Sequence, residues 1–289
     1  MQIIEKLPVL AERAADSHKG LYGRVLVVAG SVGMGGAAAL SGSAALRAGA
    51  GLVTVATSKS AQPIVAGFEP AYMTIPLPED EAGQISDAAL DVLIEAVGKS
   101  DVVVFGPGLG KSRALELIVR VLIQRAGLRL IIDGDGLNNL CRIKNWPEIS
   151  RAAIVLTPHP GEFARLWKGL FREPLPADRQ QQAQKLAERT GAIIVLKGTS
   201  TIVTDAEKVY INSTGNPGMA TAGAGDVLAG VIAGLVGQSL SLFEAAELGV
   251  YIHGFAGDLA AKKKGQISLV AGDIVKYLSK AFCRYLKDD

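Results

Sequence analysis

The sequence predicts an α/β protein in which helices cover both faces of a mostly parallel central sheet, and two patterns lead to this prediction. Short continuous runs of valine, isoleucine and leucine recur along the chain, as in strands that are buried on both faces of a parallel sheet. Segments with helical periodicity alternate with these runs, which is typical of repeated strand–helix–strand units. Since glycine-rich or polar turns follow several of the runs, we also expect a ligand site at the carboxyl edge of the sheet.

Length and composition agree with this architecture. The 289 residues contain no linker, low-complexity segment or repeat, and we therefore predict a single domain over residues 1–289. The hydrophobic fraction of 49% is high, but the longest apolar helical run, residues 227–236, has about half of the roughly 20 residues that a membrane-spanning helix needs. No membrane association is expected.

Charge and metal-binding residue types exclude several functional classes. The 30 basic and 28 acidic residues nearly cancel, and no basic stripe is interleaved with aromatic residues, so nucleic acid is not an expected partner. Cys141 and Cys283 have no metal-binding spacing and suggest a reducing compartment, and the three histidines lie too far apart for a zinc signature. The N-terminus lacks the apolar core of a signal peptide, and a cytoplasmic location is expected.

The first half of the chain begins with a complete strand–helix–strand unit. The run RVLVVA at 24–29 predicts a buried strand, and the glycine-rich turn at 30–36 leads into an alanine-rich helix. The small residues of this helix allow it to lie close to the sheet. In order, we predict strands over 24–29, 52–56, 71–75 and 101–105, and helices over 37–48, 86–97 and 112–125.

The second half adds three buried runs, a hairpin and a helical C-terminus. The turn at 205–207 separates two short runs of strand-forming residues, which predicts a hairpin beside the parallel strands. We predict strands over 128–132, 152–156 and 192–196, hairpin strands over 200–204 and 208–212, and helices over 177–190, 227–236, 242–262 and 271–286.

The turn after the first strand matches a dinucleotide-binding pattern, G-x-G-x-x-A, from Gly33 to Ala38. The dehydrogenase version of this pattern also needs an acidic residue at the end of the second strand to hold the ribose. This chain has Thr57, Ser58 and Lys59 there. The sequence therefore argues against an ordinary NAD-dependent dehydrogenase.

A second glycine-rich turn, at 106–112, resembles the phosphate-binding P-loop. Gly106 and Gly110 have three residues between them instead of four, and the P-loop cradle depends on that length. We therefore reject the P-loop and predict a tight turn at which a ligand can approach the backbone.

Two further turns carry charged side chains, and each of them allows two interpretations. The segment TPHPGE at 157–162 follows a strand and opens a short helix, and its prolines would fix His159 and Glu162 at a ligand site. The same segment would equally serve as a proline turn with Glu162 at the positive end of the helix dipole. Asp133 and Asp135, at another strand end, would bind Mg²⁺ or simply form a turn.

The segment KGTST at 197–201 begins at the end of a buried strand. One cation, one glycine and three hydroxyl groups in five residues would suit phosphate or ribose oxygens. A solvated turn is the alternative.

His253 lies in an apolar helical run, and we predict that it is a core histidine.

The stretch from 216 to 226 is the most informative one. Such a small-residue loop can direct several backbone N–H groups onto one anion at the N-terminus of the following helix, where the macrodipole adds to the attraction. Asp226 is the only charged side chain between Lys208 and Glu244. A lone carboxylate beside an anion site is typical of a general base. The alternative is a glycine-rich turn in which Asp226 caps the helix.

Taken together, these segments resemble a known family. The sequence GAGD at 223–226 before a buried helix resembles the ribokinase-like superfamily of small-molecule kinases, which implies a three-layer α/β sandwich. The full set of motifs is similar to the ADP/ATP-dependent NAD(P)H-hydrate dehydratases and covers about residues 18 to 260. The motifs are HKG at 18–20, GR at 23–24, GS at 30–31 with MxGAA at 34–38, LRAGAGLV at 46–53, GPGLG at 106–110, LTPHPGE at 156–162, VLKG at 195–198 and GMAT at 218–221.

The resemblance implies repair of damaged nicotinamide cofactors. In that family the substrate is hydrated NADH or NADPH, which carries a hydroxyl on the reduced ring. A nucleotide phosphorylates this hydroxyl, and loss of phosphate restores the reduced cofactor. Bacterial members use ADP and eukaryotic members use ATP. The resemblance further implies Mg²⁺ as cofactor and a homo-oligomeric assembly, with a tetramer as the expected form.

The resemblance also implies a role for each motif residue. Asp226 would deprotonate the ring hydroxyl, while the amides of Ala224, Gly225 and Asp226 hold the transferring phosphoryl group. Mg²⁺ would offset charge on the phosphoryl oxygens, and Glu162 and Asp133 are its candidate ligands. The implied nucleotide-binding residues are Lys197, Gly198, Thr199, Ser200, Thr201 and Gly225, and the implied hydrate-binding residues are Ala37, Ala38, Gly108, His159 and Asp226.

The chain departs from the family pattern at the GAGD segment. Many relatives carry threonine or serine at the position of Ala224 and glycine at the position of Ala222, so the anion hole here lacks a hydroxyl but keeps its backbone amide. Bifunctional relatives also carry an epimerase domain ahead of this one. Only about 20 residues precede the first predicted strand, so we expect no epimerase activity.

Two other functions remain as alternatives. A ribokinase-like kinase that phosphorylates a small alcohol, such as a vitamin precursor, would share GAGD but would leave the loops at 30–38 and 157–162 unexplained. A non-catalytic nucleotide-sensing module would keep the pocket but would have no use for Asp226. Both ADP and ATP, and the hydrates of both NADH and NADPH, stay as candidate substrates.

Overall fold

A computed structural model describes residues 1–288 and shows one sheet of ten strands. The strands are β1 (Gln2–Ile3), β2 (Arg24–Val28), β3 (Leu52–Ser58), β4 (Met73–Leu77), β5 (Val102–Phe105), β6 (Arg129–Ile132), β7 (Ala153–Leu156), β8 (Ile193–Leu196), β9 (Ile202–Thr204) and β10 (Lys208–Ile211). The helices are α1 (Gly35–Arg47), α2 (Gln62–Ala66), α3 (Leu90–Gly98), α4 (Arg113–Ile123), α5 (Asp135–Leu140), α6 (Trp146–Ile149), α7 (Pro160–Leu170), α8 (Arg179–Thr190), α9 (Ala224–Gly237), α10 (Leu242–Lys264) and α11 (Ala271–Asp288).

The sheet is mostly parallel, as predicted. Its order is β1-β10-β9-β8-β7-β6-β5-β2-β3-β4, and every neighbouring pair from β4 to β8 in this order runs parallel. Strand β9 is antiparallel to both β8 and β10, so the predicted hairpin beside the parallel strands is confirmed. Because the parallel strands share one direction, the turns that follow them all meet at the carboxyl edge of the sheet.

Helices cover both faces of this sheet. Alternate residues of β2 show the division, since Val25 and Val27 face one hydrophobic core while Leu26 and Val28 face the other. Helices α1, α9, α10 and α11 contribute to the first core, and α3, α4, α5, α7 and α8 contribute to the second. The three-layer sandwich is therefore confirmed.

Glycines in α9 allow this helix to lie directly against α1. A Cβ atom added to Gly230 would lie 2.2 Å from the carbonyl oxygen of Ser41, and one added to Gly234 would lie 2.7 Å from that of Ala45. Residue numbers rise together along this contact, so the two helices run in the same direction. Their N-termini therefore meet at the same edge of the sheet, which matters for the site described below.

Several element boundaries differ from the predicted ones. The strand predicted over 71–75 lies at Met73–Leu77, where an edge position accommodates Pro76 and its missing N–H. The helix predicted over 86–97 divides into a 3₁₀ turn and α3. The helix after the TPHPGE segment is not short but has 11 residues, and the acidic turn at 133–136 opens α5. Strand β1 and helices α2 and α6 are too short to show a periodicity in the sequence.

The long helices show no membrane character. Among residues 1–288, none combines the length and the hydrophobicity that crossing a bilayer requires. Helix α10, which begins at Leu242, instead buries most of one long side in the first core.

Candidate active site

Asp226 lies in the first turn of α9, at the carboxyl edge of the sheet. The N-cap position belongs to Gly223, whose positive φ of 87° turns the chain into the helix, and no side chain caps this end. Asp226 therefore has no capping role. The N–H of Ala224 donates to the carbonyl of Thr221 at 3.4 Å, whereas those of Gly225 and Asp226 have no backbone partner within residues 1–288 and are available to an anion. The hydroxyl of Ser41, in the middle of α1, donates to the backbone carbonyl of Asp226 at 2.8 Å and ties α1 to the first turn of α9.

The surroundings of Asp226 favour a proton acceptor that works near neutral pH. Burial raises the pKa of its carboxyl group to about 6, and the nearby charge of Asp133 acts in the same direction. Lys197 opposes this shift. A carboxylate with such a pKa is ionised at neutral pH and yet basic enough to take up a proton.

Lys197 forms a buried ion pair with Asp133. Its Nζ lies 2.7 Å from Oδ1 of Asp133, which also accepts a hydrogen bond from the Thr157 hydroxyl at 2.6 Å. Oε2 of Glu162 lies 3.9 Å from the same Nζ. Burial disfavours the charged lysine, but the two carboxylates more than compensate and hold the pKa of Lys197 above its usual value. Burial raises the pKa of Glu162 to about 7, against the opposing charge of Lys197.

Gly225 brings the N-terminus of α9 against this ion pair. A Cβ atom at Gly225 would lie 3.1 Å from Nζ of Lys197 and 3.6 Å from Oδ2 of Asp133. Two residues that the resemblance assigned to the nucleotide, Lys197 and Gly225, are therefore neighbours although 28 positions separate them in the chain. The structure thus places a cation beside the anion site of the helix N-terminus.

The rest of the KGTST segment forms an exposed loop after β8. Gly198 has a φ of 138° and Ser200 a φ of 53°, so the backbone makes two unusual turns within three residues. Arg179 of α8 donates hydrogen bonds to the carbonyl groups of Leu196, Lys197 and Thr199 and thereby fixes the loop. Thr199 and Ser200 remain exposed at its tip, where their hydroxyls are accessible to a ligand.

Three of the residues assigned to the hydrate, Ala37, Ala38 and Gly108, lie together where α1 begins. Ala37 and Ala38 are buried in the first turn of α1. Gly108 has a φ of 63°, and a Cβ atom there would lie 2.9 Å from the Cβ of Ala37. The Ser31 hydroxyl donates to the carbonyl of Gly108 at 2.9 Å, so two glycine-rich turns are joined. The 106–112 turn, at which we expected a ligand to approach the backbone, thus lies next to the first turn of α1.

His159 caps α7. Its Nδ1 accepts from the N–H groups of Gly161 at 3.0 Å and Glu162 at 3.4 Å, and Oε2 of Glu162 accepts from the His159 N–H at 2.9 Å. Burial and the charges of Lys197 and Arg165 lower the pKa of His159, so the ring is neutral at pH 7. Half of the side chain stays exposed, and it can contact a ligand while it caps the helix.

Asp135 fixes the neighbouring turn and does not contact Lys197. Its Oδ2 accepts from the N–H of Gly110 at 2.9 Å, and Asn139 donates to the carbonyl of Gly110 at 2.9 Å. Of the two carboxylates at this strand end, Asp133 belongs to the ionic cluster and Asp135 holds the backbone of the 106–112 turn.

Two residues that support the site have no distinguishing signal in the sequence. One is Arg179, described above, and the other is Asp258 of α10. Asp258 accepts from Asn216 Nδ2 at 2.8 Å and from the N–H of Gly215 at 2.9 Å, and so anchors the start of the 216–226 loop. His253, also on α10, has a buried Nε2 without a partner among residues 1–288, and burial lowers its pKa to about 4, so it carries no charge.

The sheet order, the α1–α9 contact and a single acid in the first turn of a glycine-rich helix define the ribokinase-like class of α/β proteins. Solved structures of ribokinase-like proteins share this fold. Residues 25–280 match the family model for NAD(P)H-hydrate dehydratases. The chain belongs to this family.

Individual relatives agree with the family assignment. A bifunctional NAD(P)H-hydrate repair enzyme of Moorella thermoacetica is 47% identical over 93% of this chain and 51% of its own length. An ADP-dependent (S)-NAD(P)H-hydrate dehydratase of Neisseria meningitidis is 36% identical over 92% of this chain and 87% of its own length. The structure of an ADP/ATP-dependent NAD(P)H-hydrate dehydratase of Bacillus subtilis, co-crystallised with ATP and Mg²⁺, superposes with a TM-score of 0.79 at 28% identity, over 96% of this chain and 94% of that one. The chain spans about half the length of the bifunctional relatives that it matches.

Proposed function

We propose that this protein uses ADP or ATP to dehydrate hydrated NADH or NADPH back to NAD(P)H, and that residues 1–289 form a single catalytic domain. The observation that carries the proposal is that three groups of residues lie around the N-terminal turns of α1 and α9, which pack against each other. Asp226 lies at an uncapped helix N-terminus, Lys197 lies beside Gly225 of the same helix turn, and the small-residue turn at Gly108 adjoins Ala37. The names of the relatives supply the substrate class.

In the proposed reaction Asp226 takes the proton of the ring hydroxyl. The hydroxyl oxygen then attacks the terminal phosphoryl group of the nucleotide, whose bridging bond breaks to release AMP from ADP or ADP from ATP. The N–H groups of Ala224, Gly225 and Asp226 would hold the transferred group as its charge builds up. Electrons of the ring nitrogen expel phosphate from the ring, loss of a ring proton restores the double bond, and NAD(P)H is the product.

The two substrates would occupy opposite sides of Asp226. We propose that Lys197 and the loop of Gly198, Thr199, Ser200 and Thr201 hold the nucleotide, since they lie on the side of β8. Ala37, Ala38, Gly108 and His159 would contact the hydrated ring and its ribose. Small side chains at the first three positions leave space for a ligand close to the backbone.

The residues present fit a Mg²⁺ ion that arrives with the nucleotide. Oδ1 of Asp133 is engaged by Lys197 and Thr157, and Oε2 of Glu162 accepts from the His159 backbone. Within residues 1–288, no group of three histidine, cysteine or acidic side chains is placed to hold a metal. We therefore propose that phosphate oxygens supply most ligands and that Oδ2 of Asp133, which points toward Gly225, is the protein's candidate ligand. When bound, the ion would neutralise charge on the phosphoryl oxygens.

An activity assay with both nucleotides and both hydrates tests the proposal. Purified protein with Mg²⁺ and ADP or ATP should restore the absorbance of the reduced nicotinamide ring from at least one hydrate. A folded protein that restores none of it would overturn the proposal. A stable phosphate ester of a small alcohol, formed instead of a dehydrated product, would favour the kinase alternative.

The pH dependence of the reaction follows from the raised pKa of Asp226. Because the base must be ionised and its pKa lies at about 6, kcat/KM should be level above pH 7 and fall about tenfold per pH unit well below pH 6. Initial rates from pH 5 to pH 8.5, with circular dichroism to confirm folding at each pH, would measure this. A profile that stays flat down to pH 5 would contradict the role of Asp226.

We also propose a cytoplasmic homo-oligomer, with a tetramer as the expected form. Exposed apolar side chains before α1 and on or just after α2 support an interface there, namely Val32, Met34, Ile64 and Phe68. Light scattering of the purified protein gives the mass of the assembly, and a monomer would contradict the proposal.

A further inference from the structure

A basic groove lies on the outer surface of the second helical layer, beside the candidate active site. It has a volume of about 380 Å³ and is formed by the turn before α4, by α5 with the residues that follow it, and by α7. Four of its lining residues are the cations Lys111, Arg142, Arg165 and Lys168, and no acidic side chain lines it. An anion is therefore the ligand that its charge favours.

Three of these four cations form no ion pair within residues 1–288. Arg142 forms an ion pair with Glu116 at 2.9 Å. Across residues 1–288, no carboxylate lies within ion-pair distance of Lys111, Arg165 or Lys168, although seven ion pairs form outside the groove. Like charges that converge without a counter-charge repel one another, and a bound phosphate group would relieve this repulsion.

Two of the elements that line the groove also carry residues assigned to the hydrate. Lys111 directly follows the 106–110 turn that contains Gly108. Arg165 and Lys168 lie on α7 within three turns of His159, which caps that helix. Nη1 of Arg165 would lie 3.9 Å from a Cβ atom on Gly161, and its charge lowers the pKa of His159. The groove thus begins next to Gly110 on one side and within two turns of His159 on the other.

We propose that this groove binds a phosphate group of the hydrated dinucleotide substrate. The inference rests on the proposed function, in which only the nicotinamide ring reacts at Asp226. The pyrophosphate and the adenosine half of the dinucleotide must therefore lie outside the reaction centre. Phosphate oxygens are the groups of this substrate that pair with arginine and lysine. Two sources supply them, namely the pyrophosphate of both hydrates and the 2′-phosphate that only the NADPH form carries.

The double variant Arg165→Gln/Lys168→Gln tests the groove. Both side chains are exposed, so their loss should leave the fold intact. The KM for the hydrate should rise about tenfold, as expected for loss of charge-assisted hydrogen bonds to phosphate, while the KM for the nucleotide stays unchanged. A rise with both hydrates identifies the pyrophosphate, and a rise with NADPH hydrate alone identifies the 2′-phosphate. An unchanged KM for both hydrates would overturn the proposal.

The matched control removes the same charges elsewhere. Arg120 on α4 and Lys263 at the end of α10 are exposed and form no ion pair within residues 1–288. Arg120→Gln/Lys263→Gln lowers the net charge equally and should leave the hydrate KM unchanged. If both double variants raise KM alike, the effect comes from the overall charge and not from the groove.

A binding measurement separates failure of this inference from failure of the proposed function. NAD⁺ and NADP⁺ carry the same phosphates as the hydrates and are not turned over. Calorimetric titration should show that the Arg165→Gln/Lys168→Gln variant binds one or both about tenfold more weakly than the wild type. If the wild type shows no turnover but binds NAD⁺ or NADP⁺ in a way that depends on the groove residues, the dehydratase function is rejected and phosphate binding in the groove is retained. Binding that does not respond to the groove variant, or no binding to the wild type, would overturn the groove.

Discussion

Replacement of Asp226 by asparagine is expected to lower kcat by at least about 10²-fold, because the amide cannot accept the proton of the ring hydroxyl. The side chain keeps its size in the first turn of α9, so the anion site formed by the backbone of Ala224 and Gly225 should persist. The nucleotide KM should therefore change little. Steady-state kinetics at pH 7.5 measure both quantities.

The Asp226→Asn variant should lose activity without losing stability. The pKa of Asp226 is raised to about 6 in the folded protein, so the ionised form is disfavoured by folding. When the pKa of an acid is higher in the folded protein than in the unfolded chain, the free energy of unfolding falls as the pH rises from the unfolded pKa to the folded pKa. For Asp226 this decrease is complete above about pH 6. Asp226→Asn should thus be as stable as the wild type at pH 7.5, or more stable.

A matched control distinguishes the base from a general effect of charge. Asp91 is exposed on α3, and its replacement by asparagine should change neither kcat nor the unfolding temperature. Near-normal turnover of Asp226→Asn would remove Asp226 from the role of base. Loss of turnover together with loss of folding would point to a structural role instead.

The chemistry-bearing segments were predictable from the sequence because each of them is local. A glycine-rich turn before a buried helix, or a cation at the end of a buried strand, forms its motif from adjacent residues, and parallel strands then bring the turns to one edge. The roles of Arg179 and Asp258 were not predictable in this way. Each of them binds the backbone of a loop far away in the chain, and their own helices look like ordinary polar or apolar helices.

The interaction partners of the charged residues could also not be predicted from the sequence. Asp133 was assigned to Mg²⁺ or to a turn, whereas its Oδ1 contacts Lys197, which lies 64 positions later. His159 was given a binding role or a place in a proline turn, and it is the N-cap of an 11-residue helix. Histidine is not among the usual N-cap residues, so the capping box with Glu162 could not be recognised from its residue types.

Replacement of Lys197 by methionine should reduce the free energy of unfolding by about 3 to 5 kcal/mol at pH 8, the range found when one partner of a buried ion pair is removed. Asp133 is only 2% exposed, and without the cation its charge and that of Glu162 remain buried without compensation. The loss should be smaller at pH 5.5. Without Lys197 the pKa values of Glu162 and Asp226, already about 7 and 6, rise further, so both groups are protonated there. Urea unfolding at the two pH values measures the difference.

A double-mutant cycle tests whether loss of the Lys197–Asp133 ion pair causes the lower free energy of unfolding. Lys197→Met/Asp133→Asn removes the uncompensated carboxylate, so it should be more stable than Lys197→Met alone at pH 8. Lys144, which is exposed, provides the matched control, and Lys144→Met should change the free energy of unfolding by less than about 0.5 kcal/mol. The contrary result is that Lys197→Met lowers the free energy of unfolding equally at both pH values, with no recovery on adding Asp133→Asn. That result would show that packing of the lysine stem, rather than its charge, stabilises this edge of the sheet. Relief by Asp133→Asn without recovery of turnover would mean that Lys197 is needed both to hold the buried carboxylates and to bind the nucleotide.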